Sequence, residues 1–254
     1  MRILRFAQAA IAAAAVTFAS SQAQASGGGH YESQNWSFSG IFGTIDHAAA
    51  QRGYQVYKEI CSGCHSMRLV SYRNLAGIGL PEPTIKALAA QSDVSTTNDD
   101  GEPVTRPGRP SDPFPKPFAN AKAARASNNG ALPPDLSLIA KARPNGPNYL
   151  YALLTGYHEP PAGVQVAEGM HYNAAFEGHQ IAMAAPLHDD GVTFSDGTKA
   201  TVSQMAHDVT TFLMYTAEPH MDARKRTGLK VVLFLFLLTV LLYFVKKRVW
   251  ADVH

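Results

Sequence analysis

Cysteine and charge are both scarce in this sequence of 254 residues. Two cysteines are too few for a disulfide-stapled scaffold or a four-cysteine zinc site. Charged residues make up only 17% and the net charge is +2, which gives no indication of nucleic-acid binding. The hydrophobic fraction of 46% is ordinary and excludes general disorder. The length predicts one or two domains. The low fraction of charged residues indicates that part of the chain is not the water-exposed surface of a soluble protein.

Acidic residues are scarce near both ends of the chain, where Asp252 is the exception. None occurs in residues 1–25 or in residues 224–248, and both of these segments carry basic residues. The stretch between them, residues 26–223, has 13 basic and 19 acidic residues and therefore a net charge of about −6. Such a separation of charge indicates targeting or membrane contact at the ends.

Residues 1–25 have the features of a secretory signal peptide. Arg2 and Arg5 precede an apolar run over 9–19, which is too short to span a bilayer. Ala23-Gln24-Ala25 follows and has the small-x-small pattern of a cleavage site. We predict that residues 1–25 are removed and that the mature chain is exported.

An uncharged run near the C-terminus predicts a transmembrane anchor. Residues 231–245 contain no charge, and the stretch 227–248 would extend about 33 Å as a helix. Basic clusters lie on both sides, so the positive-inside rule does not decide the orientation. The export signal does: it predicts a periplasmic body at 26–223, an anchor at 224–248 and a short cytoplasmic tail at 249–254.

The body reads as mainly α-helical with long loops. Hydrophobic periodicity and capping residues predict helices over 46–60, 81–91, 120–128, 135–143, 147–156 and 202–217. Residues 92–119 are rich in proline, aspartate and glycine and are predicted to be a long loop. Asp196-Gly197, with Val192-Thr193-Phe194 before it, predicts one small hairpin.

Cys61-Ser62-Gly63-Cys64-His65 is the attachment pattern of c-type haem. Two thiols at this spacing can each add to one haem vinyl group, and the adjacent imidazole can bind the iron. A redox dithiol is the competing interpretation, but a thioredoxin-type motif follows a strand, and here a helical pattern precedes it. The sequence predicts one covalently bound haem c.

The second axial ligand is less certain from the residues alone. Met183 lies in a small-residue, apolar segment that ends at Pro186 and can approach a porphyrin closely. A lone methionine is more often core filler. The alternatives that stay open are Met170, His171, His179 and His188.

The chain resembles the cytochrome c1 family of bacterial type, the haem subunits of the quinol–cytochrome c oxidoreductase (cytochrome bc1) complex. The matching stretches occupy most of residues 46–250. They are RGYQVYKEICSGCHSM, FPKPFANAKAARASNNGALPPDLSLIAKAR, LLTGYHEPP, IAMAAPL, DGTKATVSQMAHDVTTFL and AEPHMDARKRTGLK. The fold that the resemblance implies is a c-type cytochrome domain on one C-terminal transmembrane helix.

The resemblance also implies roles for individual residues. Met183 would be the sixth iron ligand opposite His65, and Arg143 and Tyr149 would bind a haem propionate. The residues expected to line the haem are Asn128, Pro133 and Pro134. Some bacterial members have an additional disulfide here; this chain has no spare cysteine and is expected to hold the Met183 loop by packing alone.

The implied function is electron transfer without independent catalytic turnover. The resemblance gives a Rieske iron–sulfur protein as donor, a soluble cytochrome c as acceptor and cytochrome b as a partner in the bacterial cytoplasmic membrane. The alternatives are a membrane-tethered cytochrome that feeds a terminal oxidase and a haem peroxidase. An acidic body suits a basic acceptor, and the candidate docking charges are Asp93, Asp99, Asp100 and Glu102.

Overall fold

The computed structural model describes residues 31–252 and shows a mainly α fold, as predicted. The predicted signal peptide and the last two residues lie outside the described residues. The α-helices are α1 (His47–Glu59), α2 (Glu82–Ala90), α3 (Ala121–Ser127), α4 (Ile139–Ala142), α5 (Gly146–Thr155), α6 (Val202–Ala217) and α7 (Met221–Val249). The 3-10 helices are Cys61–Gly63, Tyr72–Ile78 and Glu177–His179, and the strands are β1 (Asp93–Thr97), β2 (Pro103–Pro107), β3 (His171–Tyr172) and β4 (Gln180–Ile181).

Helices α1 and α6 cross at the centre of the body. The side chain of Asp46 accepts a hydrogen bond from the Ala49 amide at 3.1 Å and so caps α1, and Thr201 caps α6 in the same way. At the crossing Gly53 faces Asp208 so closely that a Cβ on Gly53 would lie 2.0 Å from the Asp208 carbonyl oxygen. The small residue therefore allows the two helix backbones to touch.

Aromatic side chains fill the core around this crossing. Phe212 of α6 is fully buried, and its ring centroid lies 5.6 Å from that of Tyr54 and 6.0 Å from that of Tyr57. Phe114 closes the cluster at 5.8 Å from each of these tyrosine rings. The C-terminal end of α1, where the cysteine motif begins, is thus held against a rigid core.

A buried ion pair fixes the same crossing. The Arg52 guanidinium donates to the fully buried Asp208 carboxylate, with Nε to Oδ2 at 2.7 Å and Nη2 to Oδ1 at 3.2 Å. Its Nη1 donates to Asp196 at 2.8 Å. These bonds raise the pKa of Arg52, so the guanidinium stays charged.

Two sequence predictions about strands are wrong. Residues 92–119 are not one long loop, because β1 and β2 pair as an antiparallel hairpin with Asp93 opposite Pro107 and Thr97 opposite Pro103. The hairpin predicted at 196–197 has the turn but no strands. The Asp196 carboxylate instead accepts from the Thr198 amide at 3.0 Å and from Arg52, which lowers its pKa to about 2.

The C-terminal helix α7 is 29 residues long and confirms the predicted apolar helix. Among the described residues it is the one helix long and apolar enough to cross a membrane. Its large hydrophobic side chains from 231 to 245 lie on the surface, as expected of a helix whose solvent is lipid. The helix begins three residues before the predicted start of the anchor at 224 and ends one residue after 248.

Candidate functional site

The two cysteines lie on one 3-10 turn that continues from α1. The Cys64 amide donates to the Cys61 carbonyl at 3.1 Å, and the His65 amide donates to the same oxygen at 2.9 Å. In a 3-10 turn the side chains of residues i and i+3 lie on the same side, so Cys61 and Cys64 face one direction. Both thiols are free, and Cys64 is exposed.

The Cys61 thiol differs from the attacking cysteine of a redox dithiol. Burial raises the pKa of Cys61 to about 12, with a smaller contribution from Cys64. A redox-active cysteine needs a depressed pKa, because the thiolate is the nucleophile. The electrostatics of the turn therefore do not favour the competing interpretation as a disulfide oxidoreductase.

A backbone carbonyl holds the ring of His65. Nδ1 of His65 lies 2.8 Å from the carbonyl oxygen of Pro134. Since a carbonyl oxygen only accepts, Nδ1 carries the proton and Nε2 of the neutral ring is left with its lone pair. Burial lowers the pKa of His65, which keeps the ring neutral. This is the state that a metal-binding histidine requires.

Asp135 ties the segment after the motif to the Pro134 segment. Its Oδ2 accepts from the Ser66 hydroxyl at 2.8 Å and from the Arg68 amide at 3.0 Å, and its Oδ1 accepts from the Ser137 amide at 3.0 Å. The buried Ser137 hydroxyl in turn accepts from the Leu69 amide at 3.1 Å. Sequence reasoning did not single out Asp135 or Ser137, although both stand in the PPDLS stretch.

Helix α4 is shorter than predicted, because the Asp135 carboxylate accepts hydrogen bonds from backbone amides outside the helix. The helix was expected over 135–143, but it spans Ile139–Ala142. Residues 135–138 instead run beside the segment after His65, and the Leu136 amide donates to the Ser66 carbonyl at 2.8 Å. This non-helical stretch is what brings the Pro134 carbonyl to His65.

The Met183 segment is held by hydrogen bonds, so the expectation that packing alone holds it is wrong. The Tyr157 hydroxyl donates to the backbone carbonyl of Met183 at 3.0 Å. Two residues before Met183, Ile181 pairs with His171 in the β3–β4 ladder. Tyr157 itself forms an isolated bridge with the fully buried Asn173.

Asn173 organises this region through its side-chain amide. Its Nδ2 donates to the Leu153 carbonyl of α5 at 2.8 Å, and its Oδ1 accepts from the amides of Ala175 at 3.0 Å and Phe176 at 3.1 Å. A fully buried asparagine that makes these bonds fixes two backbone segments together. The Met183 loop is therefore connected to α5 through Tyr157 and Asn173.

Arg143 and Tyr149 lie close enough for the charge of one to act on the other. Burial raises the pKa of Tyr149, and the charge of Arg143 opposes that rise. The side chain of Arg143 is exposed at the end of α4, where its Nη1 donates to the Ala142 carbonyl at 3.2 Å. Its remaining donors are available to a carboxylate.

The remaining predicted lining residues occupy different structural positions. Asn128 ends α3, and its Nδ2 donates to the Ala124 carbonyl at 2.7 Å. Pro133 is half-buried next to Pro134, and the neighbouring Leu132 is 46% exposed. Pro134 contributes its backbone carbonyl to His65.

The alternative ligands also have definite positions. Met170 is half-buried in the turn before β3, and the exposed His171 lies on β3. His179 ends a short 3-10 helix with a positive φ of 58°, and His188 is exposed after the Met183 segment. Each lies on a segment next to the one that carries Met183 in sequence or in the β3–β4 ladder.

The predicted docking charges lie on the β1–β2 hairpin. All four acidic side chains are exposed, and Asp99, Asp100 and Glu102 are in its turn. Asn98 orders this turn, because its Oδ1 accepts from the amides of Asp100 at 3.1 Å and Glu102 at 2.8 Å. Three carboxylates are thus presented on a structured projection.

The donor set of this region fits haem. Two thiols face the same side of one turn, and His65 beside them has a ring nitrogen with its lone pair available to iron. On a mainly α body that continues into an apolar helix, such a site is typical of a membrane-anchored c-type cytochrome.

Comparison with known proteins narrows this class to one family. The sequence model of the Cytochrome C1 family matches residues 36–253. The chain is 48% identical over 264 residues to cytochrome c1 of Rhodospirillum rubrum, covering 97% of each protein. It is 50% identical over 226 residues to the mitochondrial cytochrome c1 heme protein of Saccharomyces cerevisiae, covering 88% of this chain and 73% of the relative.

A third relative has a longer chain. Cytochrome b/c1 of Bradyrhizobium diazoefficiens is 50% identical over 242 residues, which cover 86% of this chain and 35% of that protein. With a family match over most of the described residues and these identities, the chain belongs to the cytochrome c1 family.

Proposed function

We propose that the chain is the haem subunit of a quinol–cytochrome c oxidoreductase and passes electrons from a Rieske iron–sulfur protein to a soluble cytochrome c. Membership of the cytochrome c1 family supports the haem and the electron-transfer role. The relative named cytochrome b/c1 supports cytochrome b as a partner. The single observation that carries the proposal is the Cys61–Cys64–His65 turn with the His65 ring fixed by the Pro134 carbonyl.

In this proposal four side chains hold one haem c. Cys61 and Cys64 bind it through thioethers, and His65 and Met183 are the axial ligands. The bound haem supplies one-electron redox chemistry, and methionine ligation raises its potential. The role of the chain is to fix the imidazole through Pro134 and the thioether through Tyr157.

Occupation of both axial positions argues for a carrier. A peroxidase needs an open iron position for its substrate, whereas His65 and Met183 together leave none. We therefore expect no independent catalytic turnover from this subunit. Electron transfer also requires that the ligands move little between the two redox states. The hydrogen bonds that hold the His65 and Met183 segments would limit that movement.

The polar rim of the site suits the propionates. Arg143 can donate charge-assisted hydrogen bonds to a carboxylate, and the Tyr149 hydroxyl beside it adds a further donor. Asn128, Pro133 and Pro134 would line the haem. One N–H of the Asn128 amide donates to the Ala124 carbonyl, which orients the side chain and leaves its second N–H available to the haem.

The proposed topology follows the charge of the chain. Residues 1–25 direct export and are removed, residues 26–223 form the haem domain in the periplasm, and residues 224–248 anchor it in the bacterial cytoplasmic membrane. Residues 249–254 are the cytoplasmic tail. The surface of α7 and the basic residues at both of its ends support a single pass.

Purification of the tagged full chain from its own membrane tests this proposal. We expect a b-type cytochrome and an iron–sulfur protein to copurify, and the preparation to reduce soluble cytochrome c when quinol is added. Cys61→Ser with Cys64→Ser is the control, because it removes covalent haem and should abolish cytochrome c reduction. Copurification with a terminal oxidase alone, or peroxide turnover with high-spin iron, would contradict the proposal.

A further inference from the structure

Two adjacent apolar side chains project from the body near the start of α7. Ile41 is 72% exposed and Phe42 is 74% exposed, more than any other large hydrophobic residue among residues 31–252, the anchor helix included. A pair of such residues on a water-facing surface is unfavourable, because burial of apolar area is what stabilises them. Their exposure indicates a surface that something else covers.

The segment that carries this pair is a closed loop. The Thr44 amide donates to the Ser37 carbonyl at 3.1 Å, and the Ser39 amide donates to the Trp36 carbonyl at 3.0 Å. A Cβ on Gly43 would lie 2.0 Å from the Ser39 carbonyl oxygen, so the two sides of the loop touch. The base is therefore closed, and the apolar tip is a defined feature of the fold.

The base of the loop is anchored in the core. Trp36 and Phe38 are buried, and their rings stack with centroids 5.3 Å apart. The Asp46 amide also donates to the Ser37 hydroxyl at 3.1 Å, which connects the loop to the cap of α1. The apolar residues at the base face inward while those at the tip face outward.

The same loop is attached to the first turns of the membrane helix. Nζ of Lys225 donates to the carbonyls of Phe38 at 2.6 Å and Gly43 at 3.0 Å. The Asp222 carboxylate accepts from the Ile45 amide at 3.3 Å. The loop and the start of α7 therefore form one unit.

This attachment places the loop close to the bilayer. Six residues separate Lys225 from Val231, where the apolar run begins, and they span about 9 Å of helix. The polar headgroup layer on each side of the hydrocarbon core is about 5–8 Å thick. Phe42 is one residue and Ile41 two residues from Gly43, one of the two residues whose carbonyls Lys225 holds. At about 3.3 Å per residue, their reach is comparable to the remaining distance.

We propose that the loop of residues 37–44 inserts Ile41 and Phe42 into the headgroup–acyl boundary of the bilayer that α7 spans. Phenylalanine and other large apolar side chains bind at this boundary. The basic residues Arg226 and Lys230 on the same end of α7 would bind anionic headgroups around the loop. The haem domain would then contact the membrane at two points, the helix and this loop, which restricts its rotation about the anchor.

Spin labelling of the full haem-loaded chain in phosphatidylcholine vesicles tests the proposal. Phe42→Cys and Ile41→Cys each add an exposed thiol, and Val104→Cys on β2 is a matched exposed control far from α7 in sequence. The parent chain, treated with the same nitroxide reagent, measures any labelling at Cys61 and Cys64. Power-saturation spectra then compare collisions with oxygen, which concentrates in lipid, and with a water-soluble nickel chelate.

We expect the labels at 41 and 42 to collide at least about threefold more with oxygen than with nickel, and the label at 104 to show the reverse. Higher nickel than oxygen accessibility at 41 and 42 would overturn the proposal, because the loop would lie in water. Low accessibility to both reagents would also overturn it, because protein would then cover the tip. The two positions are exposed, so neither substitution disturbs the core.

Discussion

The Tyr157 hydroxyl donates a 3.0 Å hydrogen bond to the backbone carbonyl of Met183. Met183 belongs to a segment with little regular structure, and Tyr157 lies two residues after Thr155, the last residue of α5. This bond therefore fixes the loop that carries the proposed sixth ligand relative to the end of α5.

Tyr157→Phe should loosen the Met183 loop without releasing haem. The change removes one hydrogen bond, a net effect of about 1 kcal/mol, and keeps the ring. We expect the methionine–iron absorption band to disappear at a lower temperature than in the parent. Tyr151→Phe is the control, because its hydroxyl bonds to Ser203 at 2.8 Å outside this loop. An identical thermal profile for Tyr157→Phe and the parent would show that the loop is held by other contacts.

Met183→Leu should retain covalent haem and lower its midpoint potential by about 0.1 V or more, because axial ligands shift potentials over roughly 0.8 V. Leucine has a similar volume but offers no donor atom to the iron. A redox titration measures the shift, and Met170→Leu is the matched control with an expected potential equal to that of the parent. The opposite result, with Met170 sensitive and Met183 silent, would reassign the ligand.

The acidic turn of the β1–β2 hairpin should accelerate encounter with a basic cytochrome c. Replacing Asp99, Asp100 and Glu102 by the corresponding amides should slow association about tenfold at low salt and flatten its dependence on ionic strength. Stopped-flow rates at several salt concentrations measure both effects, and an unchanged haem spectrum shows that the site is intact.

A second triple variant serves as the comparison for the hairpin. Glu159, Glu168 and Glu177 are also exposed but lie outside the hairpin. Their replacement by glutamine should leave the rate almost unchanged. If this set slows association and the hairpin set does not, docking takes place on the surface near residues 159–177.

Gly53→Ala should destabilise the haem domain strongly. The new Cβ would lie 2.0 Å from the Asp208 carbonyl oxygen and 2.8 Å from Cβ of Phe212, so α1 and α6 must separate. Overpacking of this kind typically costs about 1–3 kcal/mol. The thermal unfolding midpoint of the full chain in detergent measures the effect. Gly228→Ala in α7 is the control: nothing lies within 4 Å of its added Cβ, and the midpoint should not fall.

Acid should weaken the connection between the hairpin and the body. Arg106 and the amide of Arg109 bond to the Asp112 carboxylate and lower its pKa to about 2. The depressed pKa means that this stabilisation is present above pH 4 and is lost as the pH falls from about 4 to about 2. The protection factors of the hairpin amides, which compare their exchange with that of an unstructured chain at the same pH, should fall over that range, and Asp112→Asn should keep these factors low and nearly independent of pH there.

Elements with strong periodicity and clear caps could be predicted from the sequence. The helix predicted at 202–217 is observed as Val202–Ala217, and the one predicted at 46–60 as His47–Glu59. Each of these helices buries one apolar face in the core. The helical spacing of apolar residues in the sequence indicates such a face. The cysteine motif was equally visible because its spacing is a local property.

The β1–β2 hairpin could not be recognised in the same way. Its strands are almost entirely exposed, so they lack the alternation of apolar and polar residues that marks a half-buried strand. Pro103 and Pro107 also argued against a strand, although proline is tolerated in edge positions. At Asp196 a local turn signal was correct, but the side chain pairs with Arg52 across the fold, which no local pattern records.

In the candidate site, too, the features set by neighbouring residues could be predicted, and contacts between distant residues could not. The proposed ligands lie in short sequence motifs, whereas the groups that hold their segments, the Pro134 carbonyl and the Tyr157 hydroxyl, act across 69 and 26 residues. Asp135 likewise connects segments that are far apart in the chain. Such contacts depend on the tertiary path of the backbone.

The acceptor that orients His65 is a peptide oxygen, and every amino acid has one. An orienting carboxylate could be lost through a single nucleotide change, but the Pro134 oxygen would survive any substitution at that position that keeps the chain on its path. The orientation of the proposed iron-binding nitrogen is thereby protected from point mutation. Insertions or deletions between residues 128 and 139 would disturb this orientation instead, because they would shift the Pro134 oxygen out of reach of His65.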